Sequence, residues 1–462
     1  MYAFALGAAT VTRDRPATAW LTHIDKASRR PIYLAVVDAL EQAIRGGELQ
    51  AGDQLPPQRT VADLLGVDFT TITRAYGAAR ERGLVEGAVG RGTFVRRRSS
   101  EDDAGLVDLS MNLPPPPQGV SLASLLKDTA GAILDRSDVA TLMAYHAGPG
   151  PLAQRAAAVR WLESSLGPVA TDRLVVCPGA QAALAALLSV LTTPGSTLVT
   201  EPLTYPGLLA LARRMNLRLI ACPVDAEGFH PDAFERICAR HTPVAAYLVP
   251  TTQNPTASTM GRNRREDIAR IAAAREVWLI EDDPYARLLD APPPALAALA
   301  PTHGFHLATL SKTLSPGLRT AFLSCPTPAL ARRVTEALRT AVMMGSPLTT
   351  AIAIRWIRDG DAERLLAGVR AEARARRAIA AEILPDAQGA PEGVHVWLRL
   401  PAHTDVGQLR AQASLRGLSL VGADAFAVEA EPPQGLRISL GAPTNRKVLR
   451  DALVSVAGLI DS

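Results

Sequence analysis

The sequence predicts two successive domains: a small N-terminal α+β domain of the winged helix-turn-helix kind, and a large C-terminal α/β domain that ends in a smaller α+β subdomain. Three observations support this division. The chain has 462 residues, which is more than one ordinary core contains. Residues 31–98 hold helical patterns followed by a glycine-rich hairpin pattern. Apolar strand patterns then alternate with helical patterns along the remaining residues.

Polar and proline-rich segments mark the expected domain boundaries. Residues 96–103 (RRRSSEDD) are short and charged, as a linker requires, and Pro114 to Pro117 form a stiff polyproline segment. The large domain's own sequence begins around Leu106. We therefore expect an N-terminal arm (1–30), a winged helix-turn-helix domain (31–98), a linker (99–120) and a large domain (121–462) with its small subdomain at about 370–462.

The composition excludes several classes of protein. Hydrophobic residues make up 48% of the chain and charged residues 20%, which is normal for a soluble globular protein. An uninterrupted apolar stretch of membrane-spanning length is absent, so we expect no membrane partner. The four cysteines form no Cys-x-x-Cys pair, which argues against a zinc site or a disulfide framework. We expect a cytoplasmic protein without a metal.

Positive charge is concentrated in the first domain. Residues 1–98 contain 14 Lys and Arg against 10 Asp and Glu, so the chain's net charge of +4 lies entirely in this segment. A local excess of positive charge favours contact with nucleic acid.

The first domain carries a helix-turn-helix pattern. Residues 31–46 have helical spacing of apolar residues, and two shorter helical patterns follow, joined by Gly66-Val67-Asp68. The segment VEGAVGRGTFV then predicts a β-hairpin, the wing. In such a domain the second helix presents small polar groups to the major groove, and arginines meet phosphates. The DNA-binding candidates are Arg59, Thr70, Thr71, Thr73, Arg74, Gly90, Arg91 and Gly92.

Residues 31–95 resemble a GntR-type winged helix. The resemblance implies that the domain binds double-stranded DNA at an operator. One position departs from the family's pattern, because Phe69 stands where an arginine that contacts DNA is common. The matching motifs are Leu55-Pro56-x-x-Arg59, Leu65-Gly66-Val67, Thr70-Thr71, Ala75-Tyr76 and Gly90-x-Gly92-Thr93-Phe94-Val95.

Polar residues follow successive strand patterns of the large domain. Ligands of such α/β sheets bind at the carboxyl ends of the strands, so these positions predict a binding site. The residues that follow the strands are, in chain order, Gly179-Ala180-Gln181, Asn254-Pro255-Thr256, Glu281-Asp282-Asp283-Pro284-Tyr285 and Ser311-Lys312, with Arg319 close behind.

These residue types suit pyridoxal phosphate, which needs a covalent lysine and an acidic partner for its ring nitrogen. Lys312 is the candidate for the Schiff base, beside the hydroxyls of Thr309 and Ser311. Arg319 and the helix that opens at residues 179–181 offer positive charge and free backbone N–H groups to the phosphate.

The remaining candidates surround the ring of the cofactor. Asp282 is the candidate partner of the ring nitrogen, and Asn254 and Tyr285 can donate hydrogen bonds to the phenolic oxygen. Tyr205 is placed to stack on the ring. Arg437, on a predicted strand, can bind a substrate carboxylate with both arms of its guanidinium.

Residues from about 108 to 462 resemble a fold-type I aminotransferase. In that family a tyrosine at the position of Tyr145 reaches the phosphate in the neighbouring subunit, so the resemblance implies a homodimer. Ala180 replaces a common Ser or Thr, which leaves one phosphate hydrogen bond to the backbone. The matching motifs are Tyr145-x4-Gly150-x4-Arg155, Gly179-x-Gln181, Asn254-Pro255-Thr256, Asp282-x2-Tyr285, Ser311-Lys312-x6-Arg319 and Leu436-Arg437-Ile438-Ser439.

Together the two resemblances are those of MocR-type transcription regulators. We expect a regulator that senses an amino compound through formation of an external aldimine at Lys312. Two alternatives remain open: a working aminotransferase with an auxiliary DNA-binding module, and a sensor of the level of pyridoxal phosphate itself.

Overall fold

A computed structural model divides the chain into two compact units, Met1–Gly105 and Leu106–Ser462. The structure describes residues 18–24, 31–45, 48–49, 53–81, 84–88, 92–95, 106–135, 138–146 and 148–460.

The first unit has the predicted helices and hairpin. Gly66, with φ +68°, ends the second helix in the left-handed conformation that glycine adopts without steric cost. Asp68 accepts a hydrogen bond from the backbone N–H of Thr70 at 2.8 Å and so caps the third helix. The elements are α1 (Ile32–Arg45), α2 (Gln58–Leu65), α3 (Phe69–Glu81), β1 (Val85–Ala88) and the antiparallel β2 (Gly92–Val95).

One apolar core holds this unit together. Val37, Val61 and Ile72, one from each helix, are fully buried. The hydroxyl of Tyr76 donates a hydrogen bond to the carbonyl of Pro56 at 2.8 Å, which ties α3 to the residues before α2. The hairpin therefore rests on a rigid set of three helices.

The arm expected over 1–30 requires a correction. Residues 18–24 belong to the first unit, since Ala19–His23 form a 3₁₀ helix and Trp20, 1% exposed, joins the core beside α1. Burial of this large aromatic ring explains why the segment is held in place. The rest of the expected arm, residues 1–17 and 25–30, lies outside the described residues.

The large unit is built around a seven-stranded sheet of order β4-β12-β11-β10-β9-β5-β6. Only β12 runs antiparallel to its neighbours. The strands are β3 (Val107–Asp108), β4 (Leu174–Cys177), β5 (Thr197–Thr200), β6 (Arg218–Ala221), β7 (Val224–Asp225), β8 (Gly228–Phe229), β9 (Ala245–Leu248), β10 (Trp278–Asp283), β11 (Gly304–Thr309), β12 (Ala321–Ser324), β13 (His395–Arg399), β14 (Leu418–Ser419), β15 (Val421–Gly422) and β16 (Gly435–Ser439).

Helices connect and cover these strands, as predicted for an α/β domain. Strands β9 and β11 are buried along their whole length, which explains their continuous apolar sequences. The helices are α4 (Leu122–Leu134), α5 (Val139–Leu142), α6 (Leu152–Leu166), α7 (Ala180–Leu191), α8 (Pro206–Arg214), α9 (Pro231–His241), α10 (Arg262–Ala274), α11 (Leu296–Leu299), α12 (Pro328–Val342), α13 (Pro347–Asp359), α14 (Asp361–Ile383), α15 (Val406–Leu415) and α16 (Arg446–Ile460).

A smaller three-stranded sheet, β13-β16-β15, packs with α15 and α16 at the C-terminal end. The core of this subdomain also contains Leu109, and β3 pairs in parallel with β14. Residues 106–120, expected to belong to the linker, are therefore part of the large unit. The backbone hydrogen bonds of β3 and the burial of Leu109 account for this difference.

Glu372 on α14 joins three segments of the large unit. Its carboxylate accepts hydrogen bonds at 2.8 Å from Arg376, from Gln118 and from Arg446 of α16. Burial alone would raise the pKa of Glu372, but these hydrogen bonds lower it to about 2. The carboxylate is therefore charged in the folded chain.

We predict that Glu372→Gln lowers the free energy of unfolding by roughly 3 kcal/mol, because the buried Arg376 loses its charged partner. The stabilisation exists above the unfolded glutamate pKa of about 4.3 and disappears as the pH falls towards 2. Urea denaturation at several pH values measures both effects. Glu382→Gln is the control. Glu382 lies on the same helix as Glu372, and its ion pair with Arg450 of α16 is exposed. An equal loss in both variants would contradict the prediction.

Candidate functional site

A cavity of about 510 Å³ lies at the carboxyl ends of the central strands of the large unit. It is lined by all of the predicted cofactor and carboxylate residues except Gly179 and Tyr145: Ala180, Gln181, Tyr205, Asn254, Asp282, Tyr285, Thr309, Ser311, Lys312, Arg319 and Arg437. The structure therefore brings together residues that are up to 257 positions apart, from Ala180 to Arg437.

Lys312 lies just beyond the end of β11, and its amine is mostly shielded from water. Its Nζ donates a hydrogen bond to the backbone carbonyl of Asn112 at 2.6 Å. Burial, together with the positive charges of Arg437 and Arg319, lowers the pKa of Lys312 to about 8, although Asp282 acts in the opposite direction. A larger fraction of this lysine is a neutral, nucleophilic amine near neutral pH than in an exposed lysine.

Asp282 lies within β10, which extends beyond the strand expected from the sequence. The hydroxyl of Tyr247 on the neighbouring strand β9 donates a hydrogen bond to Asp282 Oδ2 at 2.5 Å. Burial raises the pKa of Asp282 to about 6, against the effect of this hydrogen bond. A buried carboxylate held from one side is suited to bind one protonated nitrogen from the cavity.

Tyr285 and Arg437 are held by residues from the start of the large unit. The hydroxyl oxygen of Tyr285 accepts a hydrogen bond from Asn112 Nδ2 at 3.0 Å. Arg437 donates to Asn254 Oδ1 at 2.8 Å and to the backbone carbonyl of Ser110. Its Nε is buried and has no hydrogen-bond partner in the described part of the chain, which leaves a donor for an incoming anion.

Phe426 lies beneath the guanidinium of Arg437, whose Cζ is 5.0 Å from the ring centroid. Burial is the main cause that lowers the pKa of Arg437, while Tyr285 and Asp108 act in the opposite direction. Contact with the ring face further restricts the orientation of this planar group.

An anion pocket forms where α7 begins. Gly179 has φ +97°, and a Cβ at this position would lie 2.6 Å from a terminal nitrogen of Arg319. The backbone conformation thus favours glycine, and a side chain at this position would also shift the guanidinium of Arg319. Ser311 and Thr309 contribute hydroxyls, joined by a hydrogen bond of 3.0 Å. The N-terminus of α7, Arg319 and the hydroxyls suit a phosphate.

The two tyrosines predicted to contact the cofactor occupy different places. Tyr205 lines the cavity beside Gln181 and precedes α8. Tyr145 is 82% exposed and lies outside the cavity of its own chain. A role for Tyr145 at a cofactor therefore requires another copy of the chain.

Sequence reasoning did not identify Asn112, Tyr247 or His395. Asn112 lies in the segment assigned to the linker, and Tyr247 lies inside an apolar strand pattern without a polar neighbour. His395 is fully buried in β13 and contacts Asn112 at 3.0 Å. A single signal, a polar residue two positions before the proline run, could have drawn attention to Asn112.

The predicted DNA-binding residues of α2 and of the start of α3 lie at the surface of the first unit. Arg59 and Thr70 are exposed, and Thr71 is half-buried. Thr70 also donates its hydroxyl to Asp68, which lowers the pKa of that carboxyl. Phe69, the first residue of α3, is 50% exposed.

Other DNA-binding candidates make contacts within the unit. Thr73 donates to Gln58 Oε1 at 2.9 Å, and the guanidinium of Arg74 lies 4.3 Å from the ring centroid of Tyr33. Gly92 opens β2 with φ +111°. Gly90 and Arg91 lie outside the described residues.

Two further classes of site are absent from the described residues. No group of His, Cys, Asp and Glu there could hold a metal ion. No helix among these residues is sufficiently long and apolar to span a bilayer. All four cysteines are buried and unpaired.

Family models match both units. The model for aminotransferase class I and II matches residues 104–456, and the model for bacterial regulatory proteins of the gntR family matches residues 32–95. The chain belongs to the aminotransferase class I and II family. Its cofactor is pyridoxal phosphate, and the winged helix before the family domain is the arrangement of MocR-type regulators.

Two transcription regulators match this chain over most of its length. It is 29% identical over 454 residues to the uncharacterized HTH-type transcriptional regulator YdeF of Bacillus subtilis, covering 96% of this chain and 97% of YdeF. It is 27% identical over 416 residues to the vitamin B6 salvage pathway transcriptional repressor PtsJ of Salmonella typhimurium, covering 88% of this chain and 93% of PtsJ.

The fold of the family domain is shared with solved aminotransferases. A kynurenine aminotransferase of Pyrococcus horikoshii superimposes with a TM-score of 0.71 and 22% identity, covering 79% of this chain and 95% of that structure. The residues of the cavity fit pyridoxal phosphate in their chemistry, since they combine one shielded lysine, one buried aspartate and an anion pocket formed by Gly179 and Arg319.

We predict that Gly179→Ala weakens binding of pyridoxal phosphate roughly tenfold to hundredfold, because its Cβ would displace Arg319 and cost about 1.5–3 kcal/mol of charge-assisted bonding. Titration of the apoprotein, followed by absorption, measures the affinity. Gly195→Ala is the control: φ is +89° there, but the new Cβ meets open space. Equal affinities of the two variants for pyridoxal phosphate would mean that displacement of Arg319 does not weaken binding, which would contradict the prediction.

Proposed function

We propose that the chain is a pyridoxal-phosphate-dependent transcription regulator that senses an amino compound in the cavity around Lys312 and responds at DNA. The observation that carries this proposal is the course of the chain directly after the DNA-binding unit in the sequence. The large unit begins at Leu106, and within seven residues its backbone contacts the cavity. The carbonyl of Ser110 accepts from Arg437, and that of Asn112 accepts from Lys312.

The residues of the cavity have complementary roles toward the cofactor. When bound, pyridoxal phosphate supplies a carbonyl carbon that the lysine holds covalently and that an amino compound can take over. Asp282 holds the ring nitrogen protonated, and Tyr205 stacks on the ring. Asn254 and Tyr285 bind the phenolic oxygen. The phosphate is held by Arg319, Ser311, Thr309, Gly179, Ala180 and Gln181.

Arg437 selects effectors that carry a carboxylate. Two of its nitrogens already hold Asn254 and Ser110, so a carboxylate that enters competes for these donors as well as using the unpartnered Nε. If an amino compound took the place of Lys312 on the cofactor, the released amine would donate to the carbonyl of Asn112. Both changes act on residues 106–112, which follow the DNA-binding unit in the sequence. This connection is the physical basis of the proposed regulation.

The same proposal includes a homodimer in the cytoplasm, where the chain meets DNA. Tyr145 is 82% exposed, and Met143 and Met343 are about half exposed. The backbone N–H of His146 donates a hydrogen bond to the sulfur of Met344. Because these two residues follow Tyr145 and Met343 in the sequence, the exposed side chains lie in one region. An exposed apolar region beside a tyrosine that does not reach its own cavity supports pairing with a second copy.

The name of the relative PtsJ favours one alternative, a sensor of pyridoxal phosphate. In this alternative, occupancy of the cavity by the cofactor, rather than by an amino compound, changes DNA binding. The complete set of cavity residues also permits transamination. Comparison of apoprotein, cofactor-loaded protein and loaded protein with amino acids in one DNA-binding assay separates these cases.

We predict that Arg59→Ala in the full chain weakens binding to every DNA sequence and reduces the slope of log K against log salt by about 1, because one phosphate contact is lost. Titration of the chain's own promoter region at several salt concentrations measures this. Arg270→Ala removes the same charge from an exposed site on α10 and should leave the slope unchanged. Equal slopes for all three proteins would exclude the assigned phosphate contact.

We predict that Arg437→Ala weakens effector binding by about two to three decades, the loss of roughly 2–5 kcal/mol for a buried charged pair. The cofactor should stay attached to Lys312, whereas Lys312→Ala should lose the attachment that borohydride makes permanent. Absorption titration with amino acids measures binding, and the DNA assay measures its consequence. Arg399→Ala, on the exposed end of β13, is the matched control.

The regulator proposal depends on the joint result. Wild-type protein should change its DNA affinity when the effector binds, and Arg437→Ala should not at the same effector concentration. Rapid multiple turnover of amino acids without any effect on DNA affinity would instead identify the chain as an aminotransferase.

A further inference from the structure

Asn112 makes an unusual number of contacts for a residue outside the sheet. It is 3% exposed, and its Nδ2 lies 3.0 Å from both the hydroxyl of Tyr285 and Nδ1 of His395. Its backbone carbonyl accepts from Lys312 at 2.6 Å. One residue thus contacts two groups that face the cofactor and one buried histidine that does not.

The state of His395 determines the direction of these hydrogen bonds. Complete burial, together with the charges of Arg437 and Lys312, lowers the pKa of His395 to about 3, so its ring is neutral. Its Nε2 lies 3.1 Å from the carbonyl of Gln253, which can only accept, so Nε2 carries the hydrogen. Nδ1 of His395 is then an acceptor, and Asn112 must present its NH₂ group to it.

The same NH₂ group donates its second hydrogen to the oxygen of Tyr285. A phenol has a single hydrogen of its own, and this hydrogen is then not needed for the contact with Asn112. Among the described residues, the Tyr285 hydroxyl has no other hydrogen bond. Its hydrogen is therefore available to a group in the cavity.

We propose that Asn112 is a positioning residue that turns the hydroxyl hydrogen of Tyr285 toward the phenolic oxygen of the cofactor. This inference rests on the proposed placement of the cofactor on Lys312. The NH₂ group of Asn112 donates to both His395 and Tyr285, so an acceptor at position 112 would reverse the hydrogen bond with Tyr285. Reversal would withdraw the hydrogen of Tyr285 from the cavity.

The absorption of the bound cofactor can report the direction of the hydrogen bond between Asn112 and Tyr285. The cofactor-loaded full chain is titrated with base and acid, and the pH midpoint of the absorption change of the lysine-attached cofactor is recorded. Hydrogen bonds to the phenolic oxygen stabilise its negative charge and lower this midpoint. The titratable and charged groups that face the attachment point are Asp282, Tyr205, Tyr285, Arg319, Arg437 and His395.

Asn112→Asp is nearly isosteric and exchanges the donor for an acceptor. We expect it to raise the midpoint by about one pH unit, the effect of one lost charge-assisted hydrogen bond. Tyr285→Phe should raise the midpoint to a similar extent. Asn112→Leu, which is neutral and of similar size, should raise it less, because the Tyr285 hydroxyl becomes free to rotate without being captured.

The double variant Asn112→Asp with Tyr285→Phe distinguishes orientation from charge. If Asn112 acts by turning the hydroxyl, the aspartate should have little further effect once the hydroxyl is absent. An equal shift in both backgrounds would mean that the added negative charge acts directly, and an unchanged midpoint in Asn112→Asp would mean that Asn112 does not orient Tyr285. Either result overturns the proposal, and Asn112→Leu supplies the measurement if Asn112→Asp retains no cofactor. Neither DNA nor an effector is present, so the outcome is independent of the regulator proposal.

Discussion

The shielded amine of Lys312 is the group on which the arrangement of the cavity depends. Removal from water makes its charged form less stable, and the nearby guanidiniums of Arg437 and Arg319 add to this effect. The carbonyl of Asn112 and the carboxylate of Asp282 act in the opposite direction. The resulting pKa of about 8 allows the amine to bind a carbonyl carbon and to leave it again near neutral pH.

This constraint also determines the path of the polypeptide. The carbonyl that receives Lys312 belongs to a segment between β3, which is paired in the small subdomain, and a tightly packed proline run. A Cβ at Gly441 would lie 1.8 Å from the carbonyl oxygen of Leu113, and one at Gly368 would lie 2.5 Å from that of Gln118. The segment therefore has little room to adjust locally.

The sequence predicted the fold and most of the cavity because its signals are local. Gly179, Asp282 and Lys312 each follow or end a strand, and an α/β sheet brings such positions together. Asn112 and His395 could not be found in this way, since their roles depend on a contact between residues 283 positions apart. The proline run near Asn112 suggested an extended linker, but its packing against the C-terminal part of the chain depends on tertiary structure. Trp20 was missed for the same reason.

The size of the available interactions indicates what kind of response this arrangement supports. A hydrogen bond from a charged donor contributes about 1.5–3 kcal/mol, and the segment accepts one from Lys312 and one from Arg437. Coupling between ligand sites is commonly about 1–3 kcal/mol, so each of these bonds is of the size that the proposed coupling to DNA requires. Complete conversion between two states requires about 5.5 kcal/mol, which is close to the upper limit of both bonds together. For the proposed regulator, bonds of this size favour a graded response of DNA affinity over an all-or-none switch.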